Sequence, residues 1–277
     1  MADRLTALLQ RFELRARVFR AGAFRGVCRG DVASGAGNLY LIRRGPVRVS
    51  HPQGRRKVVN EPTLLFYSRP GKQQLDAFEP EGADIVCAAI DFGMGDENPL
   101  VRGLPAMLQV PLARMPGLDL TQQLLFDEAV KQRCGHDAAV DRLAEVLVIQ
   151  LLRYAIEQRL IDGGLLAGLA DPRLVRALNA IHADPRLAWT LEAMADVAGM
   201  SRARFAARFT RVLGSAPGDY LTGWRLGLAR SLLRRGLPVK QVADDVGYGS
   251  ASAFARAFSQ RVGLPPTDWL AAIERSR

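Results

Sequence analysis

Short apolar runs separated by turn-forming residues fill roughly the first 110 positions. The runs are residues 39–42, 47–49, 57–59, 63–67 and 85–90. The breaks are Gly45-Pro46, Pro52-Gln53-Gly54, Pro70-Gly71 and Pro80-Glu81-Gly82. Several short strands with regular turns predict a sandwich or barrel. Between residues 120 and 160 the period changes. Val140, Leu143, Leu147, Leu151 and Tyr154 recur at steps of three and four, one face of a helix. Val146, Val148, Ile149 and Leu152 make its other faces apolar too, so the helix needs cover on more than one side. Its own domain or a second copy of the chain supplies that cover, and both stay open. Asp162-Gly163-Gly164 and Ala170-Asp171-Pro172 mark a linker, and an all-helical segment follows from Pro172 to about Ile273. The expectation is an α+β protein of two domains, residues 1–165 and 172–273, for which 277 residues are ample.

The helical segment repeats itself. Ala195-Asp196, Gly199, Ser201, Phe205, Phe209, Gly214, Pro217, Asp219 and Tyr220-Leu221 return as Ala243-Asp244, Gly247, Ser250, Phe254, Phe258, Gly263, Pro266, Asp268 and Trp269-Leu270, with Gly249 as an inserted turn residue. Each unit reads as a helix-turn-helix. Leu191, Met194, Ala195 and Ala198, or Val239, Val242, Ala243 and Val246, line a first helix. Gly199 or Gly247 supplies a turn with positive φ, and Ser201 or Ser250 is placed to cap the second helix. Two Phe one turn apart anchor that helix inward. Pro217 and Pro266 follow the glycines that stop it.

With the Phe pair inward, helical geometry fixes what faces out. The first unit presents Ala203, Arg204, Ala207, Thr210 and Arg211, with Arg202 at the positive end of the helix dipole. The second presents Ser252, Ala253, Arg256 and Ser259. A helix of this size enters the major groove, where Arg pairs with guanine and small side chains meet a thymine methyl. Between the units, residues 220–235 read as a rod able to hold the two reading helices about 34 Å apart, one DNA turn. Charge agrees. Residues 172–277 carry 16 Lys+Arg against 8 Asp+Glu, whereas residues 1–171 carry 22 against 20, so most of the net +10 sits on the repeated segment. Double-stranded DNA is the expected partner. The competing class is a sensor or enzyme whose helical end binds protein.

These residues are familiar as a set. Met200-Ser201, Gly214-Ser215-Ala216-Pro217-Gly218-Asp219-Tyr220-Leu221, Trp224-Arg225-Leu226, Val246-Gly247-Tyr248-Gly249-Ser250 and Phe254-Ala255-Arg256-Ala257-Phe258 closely resemble the DNA-binding domain of AraC/XylS-type bacterial transcription regulators. The resemblance covers about residues 172–273. It implies promoter binding as a homodimer, RNA polymerase as a further partner, and a base- or phosphate-contacting Arg at Arg256. Ala203, Ala206 and Ala207 depart from it, standing where relatives often carry larger polar side chains. Arg202, Arg204 and Arg208 are then expected to contribute phosphate contacts. The amino-terminal part is similar to the cupin-like sensor domain of one AraC subgroup. That likeness rests on Phe24-Arg25-Gly26-Val27-Cys28, Leu39-Tyr40-Leu41-Ile42, Leu64-Leu65-Phe66-Tyr67-Ser68-Arg69-Pro70 and Val86-Cys87-Ala88. It implies a small β-barrel followed by dimerising helices.

Many cupins hold a metal with two or three His and a Glu. Only His51 lies in the expected barrel, while Tyr40 and Gln74 fall where related sensors often show His. No metal or other cofactor is expected, and no enzyme activity. Two kinds of signal remain. A small-molecule effector in the barrel would meet Tyr40, Phe66, Tyr67, Arg69 and Gln74, with Arg69 able to meet a carboxylate; ordinary core packing also explains the aromatic residues. The other is thiol chemistry. Cys28 and Cys87 sit in separate segments of one small barrel, and the resemblance places Cys at both positions in many relatives. If close, they can oxidise to a disulfide, with Arg25 and Arg29 favouring a Cys28 thiolate. Two inert buried thiols is the alternative. Cys134 reads as a helix-end residue without a role. With no bilayer-length apolar run, no signal peptide and only three cysteines, the cytoplasm is the expected location, with no membrane partner.

Overall fold

The computed structural model describes residues 5–11, 14–30, 36–50, 54, 56–78, 80–93, 98–131, 133–161 and 163–275. The chain forms two compact units: residues 13–166, and residues 167–277 together with residues 1–12.

The first unit is built on two antiparallel sheets. In the larger, β1 (Arg15–Phe24), β8 (Ala83–Asp91), β3 (Gly37–Arg44), β6 (Thr63–Tyr67) and β9 (Met107–Pro111) lie side by side in that order. In the smaller the order is β2 (Gly26–Arg29), β7 (Gln74–Ala77), β4 (Val47–Ser50) and β5 (Arg56–Val59). Tyr40, Ile42, Leu65, Tyr67, Ile85 and Cys87 of one sheet pack with Cys28, Val47, Val49, Leu75 and Ala77 of the other. The alternate residues Leu39, Leu41, Leu64 and Phe66 are buried as well. Burial on both faces explains why β3 and β6 read as unbroken apolar runs.

Helix α2 (Pro99–Gly103) precedes β9, and α3 (Asp119–Lys131) and α4 (His136–Glu157) follow it. Both α3 and α4 lie against β1. The Val18 N–H donates to Asp141 Oδ1 at 2.7 Å, which ties α4 to that strand. Val140, Leu147, Leu151, Leu152 and Ile156 of α4 are buried, while Val146 is exposed. Leu120, Leu124 and Val130 of α3 are also exposed. Cys134 is exposed in the turn joining the two helices.

The second unit is helical. Helix α1 (Thr6–Arg11), which the apolar pattern does not announce, packs on α6 (Leu174–Ala183). Helix α5 (Gly164–Ala170) occupies the expected linker. Then come α7 (Leu191–Ala198), α8 (Arg202–Leu213), α9 (Pro217–Arg234), α10 (Val239–Asp245), α11 (Ala251–Val262) and α12 (Pro266–Glu274). Pro217 and Pro266 do not merely follow a helix stop. Each is the first residue of the next helix, where proline's missing N–H costs nothing. No helix among the described residues is long and apolar enough to cross a membrane.

Candidate nucleic-acid interface and thiol pair

Both repeated units fold as helix, turn, helix. The Thr190 hydroxyl caps α7 by accepting from the Ala193 N–H at 3.1 Å. Gly199 then turns the chain at φ 64°, and Gly247 does so at φ 81° in the second unit. Phe205 and Phe209 of α8 are fully buried, with ring centroids 5.3 Å apart, and Phe209 meets Tyr220 edge-on at 5.4 Å. Phe254 and Phe258 of α11 repeat this at 5.6 Å, with Trp269 in the place of Tyr220. The paired rings fix the rotation of each second helix about its axis, and so fix its outer face.

That outer face carries Ser201, Arg202, Ala203, Arg204 and Ala207 on α8, and Ser250, Ser252, Ala253 and Arg256 at the start and along α11, all exposed. Arg202, Arg204 and Arg256 form no ion pair with any described residue, so their guanidinium groups are free for an anion. The Ser250 hydroxyl accepts from the Ala253 N–H at 3.1 Å, a true N-cap. Ser201 has the extended backbone of a cap, but its side chain makes no capping bond.

Arg208 differs from the phosphate contact expected of it. Its Nε donates to Asp171 Oδ2 at 2.7 Å, and Nη2 lies 2.6 Å from the same oxygen. Asp171 Oδ1 accepts from the N–H groups of Arg173 and Leu174, capping the start of α6. Burial works against ionisation of Asp171, but the Arg208 bond and the two N–H bonds outweigh it and lower its pKa. Arg208 therefore braces α8 against α6. Being three residues from Phe205, it lies on the flank of the buried stripe, a signal the spacing itself carries.

In the barrel the structure brings Cys28, Cys87 and Tyr40 together. The two sulfurs are 3.4 Å apart, both buried, one contributed by each sheet. Tyr40 and Arg20 flank Cys87 in register on its two neighbouring strands. A bulge between Val18 and Arg20 shifts the alternation of β1 and sets Arg20 in that row. The Cys28–Cys87 hydrogen bond, opposed by burial and helped by the Arg20 charge, lowers the Cys28 pKa. The same bond and burial raise that of Cys87 well above an ordinary thiol. The Tyr40 hydroxyl is buried without a hydrogen-bond partner among the described residues, and burial raises its pKa. A β-carbon on Gly30 would lie 2.9 Å from that hydroxyl, so the backbone passes close to it there.

Other candidates lie elsewhere. Arg29 is next to Cys28 on the strand and so points to the opposite face, and Arg20, not Arg25 or Arg29, is the cation acting on Cys28. Gln74 alternates with the core residues Leu75 and Ala77 and points outward; its N–H donates to Ser50 Oγ at 3.1 Å. Arg69 is exposed in the bend after β6. The expected ligand-binding set therefore does not converge. Phe66 packs on Phe92, and Tyr67 meets Tyr40 edge-on at 5.8 Å and donates its hydroxyl to Ser50 O. Nor does the donor set fit a cupin metal, because Tyr40 points into the core and Gln74 out of it. Among the described residues no three His, Cys, Asp or Glu side chains are placed to share an ion, and His51 lies outside those residues.

Comparison with known families agrees with both halves. Residues 3–157, more than half of the chain, match the family described as Cupin, and residues 194–272 match that described as Helix-turn-helix domain. The chain belongs to the AraC/XylS-type regulators that carry an amino-terminal cupin domain. A putative AraC-like transcription regulator of Streptomyces lividans is 36% identical over 68% of the chain, a match spanning 64% of that relative's length. The RCS-specific HTH-type transcriptional activator RclR of Escherichia coli is 27% identical over 85% of the chain and 86% of its own. A crystal structure of unsaturated fatty acid bound ToxT from Vibrio cholerae aligns with 93% of the chain and 94% of its own, at 13% identity and a TM-score of 0.41.

Proposed function

We propose that the chain is a sequence-specific promoter-binding regulator that works as a homodimer and takes its signal as oxidation of Cys28 and Cys87. The observation that carries DNA binding is the pair of outward faces on α8 and α11. Each is fixed by a buried Phe pair, and free Arg side chains sit among small residues on both. Arg202, Arg204 and Arg256 supply the charge, and Ala203, Ala207, Ser252 and Ala253 allow close approach to base edges.

The thiol geometry supports the signal. Cys28, as the thiolate, attacks a two-electron oxidant such as a peroxide, cleaving its O–O bond and forming a sulfenic acid while the other oxygen leaves as water after protonation. Cys87 then attacks that sulfur, closing the disulfide and releasing the sulfenic oxygen as a second water. The thiols lose two electrons and two protons in all. The sulfurs must close from 3.4 Å to about 2.05 Å. That movement draws β2 of one sheet toward β8 of the other, and the signal acts by favouring one arrangement of the barrel. The named relative is an activator, so activation, through RNA polymerase, is the direction proposed.

A salt titration of binding to promoter fragments from the source genome tests the core of this reading. Phosphate contacts give a log–log slope of about −0.9 per contact. Binding no tighter than that of a neutral protein at low salt would leave the interaction-domain reading standing instead.

A further inference from the structure

The rod between the two helix-turn-helix units has a weak centre. Helix α9 contains Gly223 and Gly227, and each interior glycine weakens a helix relative to alanine and invites bending. Leu221 and Trp224 are buried in its first half, while Leu226, Ala229 and Leu233 join the core of the second unit. A bend at the glycines would therefore turn one reading helix relative to the other.

Arg225 stands between those glycines and reaches out of the rod. Its Nε donates to Pro185 O at 2.9 Å and its Nη2 to Leu187 O at 2.8 Å. Both carbonyls belong to the loop that enters the first unit. That loop is itself stiff: the Trp189 indole N–H donates to Asp184 O at 2.9 Å, and the Arg186 N–H to Asp184 Oδ1 at 3.1 Å. The turn of the second unit rests on the same loop. A β-carbon on Gly247 would lie 2.8 Å from Arg186 Cα and 2.9 Å from Pro185 O. Arg186 Nη2 reaches Asp245 Oδ1 at 3.5 Å, and Tyr248 lies beside the Arg225 guanidinium, 5.9 Å from ring centroid to Cζ. The matching glycine of the first unit, Gly199, has no comparable neighbour: a β-carbon there would find its nearest atom 3.9 Å away. The repeat thus keeps both glycines for their positive φ, and only Gly247 also for close approach.

We propose that this clasp, Arg225 and Gly247 closing on residues 185–187, fixes the angle between α8 and α11 and so selects the spacing of the two DNA elements they read. The proposal rests on the DNA-binding reading above. A rod alone fixes distance. A second contact beside it removes the bending and twisting that would carry α11 to the neighbouring base pair, about 3.4 Å along and one tenth of a turn around. Arg225 is a positioning residue here, with no DNA contact of its own required.

In vitro selection from a random duplex library, using the full chain, tests this. The wild type is expected to enrich two short motifs at one separation. Arg225→Ala is expected to enrich the same motifs, with relative affinity for separations one base pair longer or shorter raised about tenfold, one mismatch's worth of discrimination. Adding Gly223→Ala, a site where a β-carbon meets nothing closer than 3.9 Å, stiffens α9 and is expected to narrow the distribution again. Loss of stability alone would lower binding at every separation equally. Should Arg225→Ala not fold, Arg225→Met, which keeps much of the aliphatic stem but has no donor for either carbonyl, is expected to show the same broadening. A single unchanged separation in a folded Arg225 variant overturns the clasp. A wild type that enriches no motif overturns the DNA-binding reading, and the clasp's role with it.

Discussion

Arg208 gives its guanidinium to Asp171, with Nε 2.7 Å from Oδ2, so a cation on a helix expected to track phosphate is committed to the protein's own frame. Asp171 is nearly buried there and caps α6 at the same time. Arg208→Ala is expected to destabilise the helical unit by about 1.5–3 kcal/mol, the range for a hydrogen bond to a charged partner, in urea unfolding at neutral pH. The salt slope of DNA binding is expected not to change, because no phosphate contact is lost. A slope reduced by about one would make Arg208 a phosphate ligand after all.

The same pair sets a pH dependence. The Asp171 carboxyl titrates below its ordinary value when folded, so its contribution is fully present above that value and fades as pH falls through the lowered one. The stability gap between wild type and Asp171→Asn is expected to be constant from about pH 7 down to pH 5 and to shrink below about pH 3.9. Unfolding curves at a series of pH values check this; a gap that widened on acidification would reverse the sign and remove Arg208 as the dominant partner.

Arg20 plays the comparable part for Cys28. With the thiol pKa lowered by the Cys87 hydrogen bond and the Arg20 charge, oxidation by dilute peroxide is expected to reach its full rate at lower pH than an ordinary thiol allows. Arg20→Gln is expected to move that profile upward and slow oxidation severalfold at neutral pH. Cys87→Ser is expected to leave a Cys28 sulfenic acid that dimedone traps, and Cys28→Ser to leave neither sulfenic acid nor disulfide. Mass spectrometry of the labelled chain reads all three. A Cys87 sulfenic acid in the Cys28→Ser variant would reverse the assignment of attacking and resolving thiol.

The sequence shows some of these features and conceals others for physical reasons. Strands β3, β6 and β8 are visible because burial on both faces leaves an unbroken apolar run. Strand β1 is hidden because Arg15, Arg17 and Arg20 interrupt it and the bulge at Phe19 breaks its period of two. That bulge also conceals Arg20 as a neighbour of Cys87. The helix-turn-helix repeat is legible almost whole, since its Gly, Phe and Pro positions are local requirements of one supersecondary unit. The Asp171–Arg208 pair, 37 residues apart, and the Gly247 contact with residues 185–187 are not, because each depends on how separate helices stack. Two cysteines 59 residues apart suggest thiol chemistry, but only the packing of one sheet on the other supplies the 3.4 Å.

On α8 and α11, Arg256→Ala and Arg202→Ala are expected to differ in kind if these helices meet DNA as proposed. Arg256 stands exposed mid-helix near Ser252 and Ala253, where the proposed function has it meet a base edge. Its loss is expected to cost about 1–3 kcal/mol on the preferred sequence and to relax preference at one position. Arg202 opens α8 at its positive end, and its loss is expected to weaken binding to all sequences alike and to lower the salt slope by about one. Competition binding across single-base operator variants at two salt concentrations separates the two. Identical behaviour of the two variants would leave no division between reading and anchoring.

Helix α3 offers a test of the proposed homodimer. Leu120 and Leu124 are one turn apart on α3 and 73% and 57% exposed, with Val130 at 71% further along. Burying such a leucine is worth about 1.5–3 kcal/mol, and a two-fold axis counts each substitution twice. Leu124→Glu, which adds a charge to the loss, is therefore expected to weaken self-association at least about 100-fold, read by sedimentation at micromolar concentration. The side chain already faces water in the single chain, so the barrel's unfolding midpoint is expected to stay where it was. An unaltered dimer would move the interface off α3 and leave its leucines without that partner. A monomer that still binds one DNA element, but loses the gain from two adjoining ones, would tie α3 to operator choice through avidity, because joining two modest contacts multiplies their affinities only while the link between them holds.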